Sequence, residues 1–216
     1  MDFAKLRAEM VADLRKRGIK DTAVLQAMNT VPREAFVQED HLEYAYYNGA
    51  LPLPAQQTIS QPYVVALMLS ALQLQPQFNV LEIGTGSGYA AALLGHIVRQ
   101  VHTVERQEKL VAYAESRLGQ LGYANIFVHF GDGTLGWPEA APYDAIVIAA
   151  GGPVVPVSLR DQLGINGRLV MPVGSYKKQK LILVTRKANG KFSQKTLTPV
   201  RFVPLIGSEG WEDDDP

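Results

Sequence analysis

The apolar positions of the first 75 residues follow the spacing of helices. Gly18 ends a first helical run, and Asp21 is placed to cap a second one that continues to Met28. A third run covers 63–74, with Pro62 tolerated in its first turn. The apolar residues of the first run are Phe3, Leu6, Met10, Val11 and Leu14.

From residue 79 the pattern changes to short, solid apolar runs that alternate with helical segments. The predicted strands cover 79–83, 101–104, 126–130, 144–149, 168–172, 180–186 and 198–203, and the predicted helices cover 90–97, 109–121 and 157–163. Strands covered on both faces typically read as solid apolar runs. We therefore expect an α/β fold, with a doubly wound, mostly parallel sheet, helices on both faces, an antiparallel finish and an N-terminal helical extension.

Composition narrows the classes of function. Lys and Arg number 21 and Asp and Glu number 21, so a net charge of zero gives no electrostatic reason to expect nucleic acid or a membrane surface as partner. The absence of cysteine excludes disulfides, thiol catalysis and Cys-ligated zinc, and agrees with a cytoplasmic location. The histidines lack metal-ligand spacing. We expect no metal, no signal peptide and no membrane span, and we expect a monomer because no heptad pattern is present.

One glycine-rich segment carries the candidate chemistry. It reads Glu82-Ile83-Gly84-Thr85-Gly86-Ser87-Gly88 and lies between a predicted strand and a predicted helix. Glycines allow a tight turn and a close approach of ligand to backbone, and the helix start offers unpaired N–H groups. A dinucleotide site spaces its glycines G-x-G-x-x-G, which would indicate an NAD-dependent oxidoreductase. The spacing here is G-x-G-x-G and resembles the first motif of class I methyltransferases.

Two acidic residues follow the next two predicted strands. Glu105 can accept hydrogen bonds from the ribose hydroxyls of either cofactor, and Asp132 can accept one from an adenine amino group. Alone, Glu105 reads as a solvated charge and Asp132 as a turn residue. In register with the glycine segment, they favour S-adenosyl-L-methionine. The predicted cofactor-binding residues are Glu82, Gly84, Thr85, Gly86, Ser87, Gly88, Glu105, Asp132 and Gly133.

Two further stretches are more specific than the glycine segment: Thr58-Ile59-Ser60-Gln61-Pro62 and Gly131-Asp132-Gly133-Thr134-Leu135-Gly136-Trp137-Pro138. With 31–37, 81–89, 142–146, 167–174 and 200–205, they resemble the protein-L-isoaspartate O-methyltransferase family from residue 22 to 207. The resemblance implies a Rossmann-like methyltransferase sheet. It also implies methyl esterification of the free carboxylate of L-isoaspartyl residues in aged proteins and peptides. The ester then closes to a succinimide, which hydrolyses partly to aspartate.

The same resemblance implies the substrate site. Ser60 would be the catalytic residue, Thr58 and Ile59 would line its pocket, and Arg201 would contact the substrate. From spacing alone, Ser60 before Gln-Pro is also a helix N-cap. We expect a single domain over 1–216. Within it, 1–75 would form the helical and substrate-loop part, 76–207 the cofactor-binding sheet and 208–216 a flexible acidic tail.

One loop departs from the family pattern. The family has glycines just before its Gln-Thr-Ile-Ser stretch, whereas this chain has Pro54-Ala55-Gln56-Gln57. Because Pro54 fixes φ and Gln56 disfavours positive φ, we expect that this loop can follow a glycine-dependent path only at an energetic cost. The change keeps a second acceptor open, either aspartate in a modified peptide or a small molecule. A non-catalytic protein that binds S-adenosylmethionine is a third reading, which the retained Ser60 disfavours.

Overall fold

The computed structural model describes residues 1–212 and is built around a seven-stranded sheet. Its helices are α1 (Phe3–Lys16), α2 (Thr22–Thr30), α3 (Pro62–Leu72), α4 (Tyr89–Ile97), α5 (Glu108–Gln120) and α6 (Val157–Asp161). Its strands are β1 (Leu51–Pro52), β2 (Thr58–Ile59), β3 (Asn79–Ile83), β4 (Gln100–Glu105), β5 (Ile126–Phe130), β6 (Tyr143–Ile148), β7 (Leu163–Gly174), β8 (Gln179–Arg186) and β9 (Phe192–Val200). Short 3₁₀ turns cover Arg33–Phe36, Glu39–Tyr44, Gly133–Leu135 and Pro138–Ala140.

The strand order of the large sheet is β5-β4-β3-β6-β7-β8-β9. Strands β3 to β7 pair in parallel, and β8 and β9 are added antiparallel. The predicted mostly parallel sheet with an antiparallel finish is thus confirmed. The chain moves outward from β3 to β5 and then returns to β6 on the other side of β3. This reversal opens a crevice at the carboxyl ends of β3 and β6, where open α/β sheets bind ligands.

The N-terminal helices pack onto the same core as the sheet. Asp21 caps α2 as predicted, since its Oδ1 accepts a hydrogen bond from Val24 N at 3.1 Å. One apolar cluster joins Met28 of α2 and Leu69 of α3 to Val80 of β3, and all three side chains are fully buried. No helix within residues 1–212 is long and apolar enough to cross a membrane.

The last strand differs from its predicted position. The sequence predicts a strand over 198–203, but β9 ends at Val200. Beyond it, Phe202 N donates to Gln179 Oε1 at 2.8 Å, and Gly151 N donates to Val203 O at 2.8 Å. These hydrogen bonds draw the chain off the sheet and across the end of β6. Similarly, Leu163 begins β7 instead of ending a helix.

The loop at 54–57 follows a left-handed path, although neither of its central residues is glycine. Ala55 has φ +56° and Gln56 has φ +57°, both in the left-handed region. Gln57 N donates to Pro54 O at 3.3 Å, which closes a turn between β1 and β2. Positive φ at both central residues is the pattern of the hairpin turn that fits the twist of its strands. The hairpin therefore keeps its turn with ordinary residues, at the cost of backbone strain.

This strain predicts that Ala55→Gly and Gln56→Gly each stabilise the protein. The relief of left-handed strain should exceed the extra chain entropy of glycine, for a gain of about 0.5–1 kcal/mol each. Urea unfolding of the two variants measures this gain in unfolding free energy. Gln57→Gly is the matched control because Gln57 lies outside the left-handed region, and it should be destabilising. Equal destabilisation by all three changes would show that the turn is not strained.

Candidate functional site

A pocket lies at the carboxyl ends of β3 and β6, where the strand order reverses. The segment after β3 forms its floor, because Gly84 and Gly86 line the pocket with φ +88° and +55°. A side chain would be strained at either position, so the tight turn and the bare backbone facing the pocket both require glycine. Gly88 is the N-cap of α4 and lies behind this surface, where it packs against α5.

The two acids at the ends of β3 and β4 both line the pocket. Glu105 is nearly buried, and its carboxylate accepts hydrogen bonds from Gly86 N and Gln107 N, both at 3.0 Å. It therefore fixes the glycine turn against β4. Glu82 is 1% exposed and accepts a hydrogen bond from the Thr103 hydroxyl at 2.6 Å. Burial raises the pKa of Glu82 to about 8, against the lowering effect of the Thr103 hydrogen bond.

Because the folded state raises the pKa of Glu82, folding favours its protonated form. The unfolding free energy should therefore fall as the pH rises from the ordinary glutamate value of 4.5 towards 8. Glu82→Gln removes this loss, and the Thr103 hydroxyl can still donate to the new amide oxygen. We expect the ligand-free variant to be more stable than the parent at pH 8 by about 1–3 kcal/mol, since one pH unit of pKa displacement corresponds to about 1.4 kcal/mol.

Urea unfolding at pH 5 and pH 8 tests this expectation. At pH 5 the two proteins should have similar stability. Glu115→Gln is the control, because Glu115 is exposed on α5 and should change stability equally at both values. If the parent and Glu82→Gln lose stability in parallel between the two pH values, ionisation of Glu82 does not oppose folding.

The third acid, Asp132, already accepts hydrogen bonds from other parts of the chain. The Asp132 Oδ1 atom accepts hydrogen bonds from Thr134 N at 2.8 Å and Thr134 Oγ1 at 2.7 Å, and Oδ2 accepts one from Ser208 N at 2.7 Å. Burial alone would raise the pKa of Asp132, but these hydrogen bonds outweigh it and lower the pKa. The carboxylate thus anchors the C-terminal segment, and the adjacent Gly133 lines the pocket.

The hairpin β1–β2 and the residues after it form the opposite wall. Thr58, Ile59 and Ser60 all line the pocket. The N-cap of α3 is Gln61, whose carbonyl accepts from the first turn, so Ser60 does not cap that helix. Among the described residues, the Ser60 hydroxyl has no hydrogen-bond partner. The N-cap alternative for Ser60 is therefore wrong, and its hydroxyl is available to a ligand.

Most of the predicted site residues meet in this pocket, and three do not. Those that line it are Thr58, Ile59, Ser60, Glu82, Gly84, Thr85, Gly86, Ser87, Glu105 and Gly133. Gly88 and Asp132 lie behind the wall. Arg201 is exposed and lies just before the pocket residues. Sequence reasoning did not assign the wall formed by 202–206, although the stretch 200–205 carried part of the resemblance.

The C-terminal segment holds that wall in place. Trp211 Nε1 donates to Gly151 O at 3.0 Å, and its ring lies 4.4 Å from that of Tyr176. The Glu209 carboxylate accepts from Ser158 N at 3.0 Å and Ser158 Oγ at 2.6 Å. Residues 208–211 are thus attached to the domain, in contrast to the flexible tail expected over 208–216. The rest of that predicted tail, 213–216, lies outside the described residues.

Comparison with known proteins gives consistent results. The family model described as protein-L-isoaspartate(D-aspartate) O-methyltransferase matches residues 5–210. A protein-L-isoaspartate O-methyltransferase of Rhodopseudomonas palustris is 56% identical over 201 residues, covering 93% of this chain and 92% of the relative. One from a Roseiflexus species is 53% identical over 211 residues, covering 98% and 96%.

Solved structures agree with the sequence relatives. A protein-L-isoaspartate O-methyltransferase structure superposes with a TM-score of 0.86 at 30% identity, covering 94% of this chain and 67% of its own. A Plasmodium falciparum structure named for the same activity, in complex with S-adenosyl-L-homocysteine, gives a TM-score of 0.81 at 26% identity, with coverages of 93% and 98%.

The sheet order, the G-x-G-x-G turn and the acid after β4 define a Rossmann-like, S-adenosylmethionine-dependent methyltransferase. Within that class, the chain belongs to the protein-L-isoaspartate(D-aspartate) O-methyltransferase family. The pocket fits the family's cofactor in its chemistry. It offers bare backbone at Gly84 and Gly86 for close approach, and carboxyl groups at Glu82 and Glu105 that can accept hydrogen bonds from a ligand that carries ribose hydroxyls.

Proposed function

We propose that this protein methylates the free carboxylate of L-isoaspartyl residues in proteins and peptides. The observation that carries the proposal is the shared pocket, in which the uncommitted hydroxyl of Ser60 lies on the wall opposite the glycine turn. Family membership supports the same activity. The methyl ester can close to a succinimide that hydrolyses partly to aspartate, so the reaction is a step of protein repair.

The residues that would hold the cofactor are those of the glycine turn and its flanking acids. When bound, S-adenosyl-L-methionine supplies an electrophilic methyl group on a cationic sulfur. Glu105 would accept hydrogen bonds from the ribose hydroxyls, since each of its oxygens keeps an unused lone pair beside the Gly86 and Gln107 bonds. Glu82 places a second carboxyl group in the same pocket, and Gly133 lines it at a position where a side chain would clash with Ile83 of β3.

Ser60 would orient the acceptor carboxylate by donating a hydrogen bond from its hydroxyl. A carboxylate is ionised at neutral pH, so the site needs no general base, and its task is to position the acceptor oxygen. The start of α3 offers little else for this purpose. Pro62 has no N–H, and Tyr63 N already donates to Asn48 Oδ1 at 3.1 Å. The Ser60 hydroxyl is therefore a polar group that this wall presents next to the start of α3, with the Thr58 side chain beside it.

Thr58 and Ile59 would complete the acceptor side of the pocket, with Arg201 at its exposed rim. We further propose that the protein acts as a cytoplasmic monomer without nucleic acid. The zero net charge supports the absence of nucleic acid, the absence of cysteine agrees with a cytoplasmic location, and the lack of a heptad pattern favours a monomer.

Paired synthetic peptides test the acceptor. Two peptides, identical except for isoaspartate or aspartate at one position, are incubated with S-adenosylmethionine and followed for methyl ester by mass spectrometry. We expect methylation of the isoaspartyl peptide alone. Methylation of the aspartyl peptide alone would move the assignment to aspartate in a modified peptide. Methylation of neither, with cofactor binding intact, would exclude both and leave a small-molecule acceptor.

A further inference from the structure

A fully buried arginine lies behind the acceptor side of the pocket. Arg33 belongs to the 3₁₀ turn Arg33–Phe36, and its side chain has 0% exposure. Its Nε donates to Ala45 O at 2.8 Å, and its Nη2 donates to Ser60 O at 2.9 Å. The guanidinium carbon lies 4.8 Å from the centre of the Tyr89 ring. The Arg33 side chain therefore connects the N-terminal extension, the residues that follow the β1–β2 hairpin and helix α4.

The charge of Arg33 has no protein counterion within residues 1–212. The neighbouring acid, Glu34, is already bound to Arg7 at 2.9 Å and to the Tyr46 hydroxyl. The Nη1 atom of Arg33 is also buried without a hydrogen-bond partner. A buried, unpaired charge is unfavourable, and a guanidinium does not lose its proton in proteins. An anionic ligand nearby would offset that unfavourable energy.

The position of the Arg33 guanidinium indicates which part of the pocket an anionic ligand would occupy. Ser60 and Tyr89, the residues that Arg33 contacts, both line the pocket. The cation thus lies directly behind the wall where an acceptor carboxylate would bind. We propose that Arg33 is the fixed counter-charge for the acceptor, a positioning residue that holds the Ser60 backbone and makes the site prefer anionic acceptors.

This inference rests on the proposed function. It predicts that Arg33 affects binding of the acceptor more than the rate of methyl transfer. The acceptor loses its negative charge when it is esterified. A fixed cation therefore favours the bound carboxylate over the neutral ester, which helps substrate to bind and product to leave. It gives no corresponding help to the transition state, where that charge is already diminishing. Loss of the cation should raise KM strongly and change kcat much less.

The test compares two peptides that differ only in charge, an L-isoaspartyl peptide and its L-isoasparaginyl counterpart. Binding of each is measured to the full protein saturated with S-adenosyl-L-homocysteine, so that no turnover occurs. We expect the parent protein to prefer the anionic peptide. In Arg33→Met that preference should fall by about 10- to 50-fold, the range for a unit charge roughly 7–12 Å away in an effective dielectric near 20. A purely structural role would weaken both peptides equally.

Two variants keep the test decisive. Arg33→Lys cannot hold both carbonyls with a planar fork, and a buried ammonium can lose its proton where a guanidinium cannot. This variant should therefore keep the anionic preference at pH 5 and lose it as the pH rises, even if it is less stable and Arg33→Met does not fold. Arg15→Met is the control, because Arg15 is exposed on α1 and the loss of its charge should leave the preference unchanged. A preserved anionic preference in folded Arg33→Met, or a preference already lost at pH 5 in Arg33→Lys, overturns the proposal. Failure of the parent to bind either peptide would instead overturn the proposed function.

Discussion

Replacement of Ser60 by alanine is expected to lower kcat for isoaspartyl methylation by about 10- to 1000-fold, the range for losing one positioning hydrogen bond at a reacting centre. The hydroxyl has no partner among the described residues, so its loss should affect the acceptor alone. The first turn of α3 closes through Gln61 O, which accepts from Val64 N and Val65 N, both at 3.1 Å. Stability and affinity for S-adenosylmethionine should therefore hardly change.

Steady-state kinetics, thermal unfolding and cofactor titration separate these quantities. Ser70→Ala is the matched control, because Ser70 lies in α3, the helix that follows Ser60, and its hydroxyl is buried without a partner. That variant should retain full activity. A kcat in Ser60→Ala equal to that of the parent would show that Ser60 takes no part in the reaction. A fall in kcat that is accompanied by partial unfolding of the variant would make the role of Ser60 structural.

Replacement of Glu105 by glutamine is expected to weaken binding of S-adenosylmethionine by about 10- to 100-fold, the range for losing a hydrogen bond to a charged group. The two oxygens of Glu105 accept from Gly86 N and Gln107 N, so the amide nitrogen of glutamine would oppose one of these donors. The charge offered to the ribose hydroxyls is lost as well. Isothermal titration with cofactor, and with S-adenosyl-L-homocysteine, measures the change.

Asp132→Asn is the informative companion to this variant. The Asp132 carboxylate is held by Thr134 and Ser208, so its replacement should lower the unfolding free energy by about 1–3 kcal/mol and leave cofactor affinity nearly unchanged. If Asp132→Asn weakens cofactor binding as strongly as Glu105→Gln, Asp132 contacts the adenine as the sequence predicts, and the contact with Ser208 is not kept in the bound state.

The parts of the site that could be predicted from sequence are those that local patterns determine. The run into Gly84, the helix after Gly88 and the acid after β4 follow from short-range rules on strands, turns and glycine. Their meeting follows from parallel topology alone, because carboxyl ends of parallel strands share one edge. The resemblance then added the hairpin with Ser60, which no spacing rule distinguishes from a helix cap.

The parts that could not be predicted depend on contacts between distant segments. The side chain of Asp132 is turned by Ser208, and the wall at 202–206 is drawn off the sheet by Gln179 and Gly151. Ala55 and Gln56 adopt a conformation against their own preference, because the hairpin overrides it. Arg33 lies in a stretch that resembles the family, but its burial behind Ser60 is visible only in three dimensions.

The attachment of residues 208–211 has a consequence for the order in which the protein is made. The pocket wall at 202–206 is secured through Asp132, Ser158 and Gly151 by the segment that follows it. During synthesis, chains fold from the N-terminus onward, and the glycine turn emerges from the ribosome well before that segment does. The nascent chain therefore exposes an open cofactor crevice, which closes into a binding site only after Trp211 has been released.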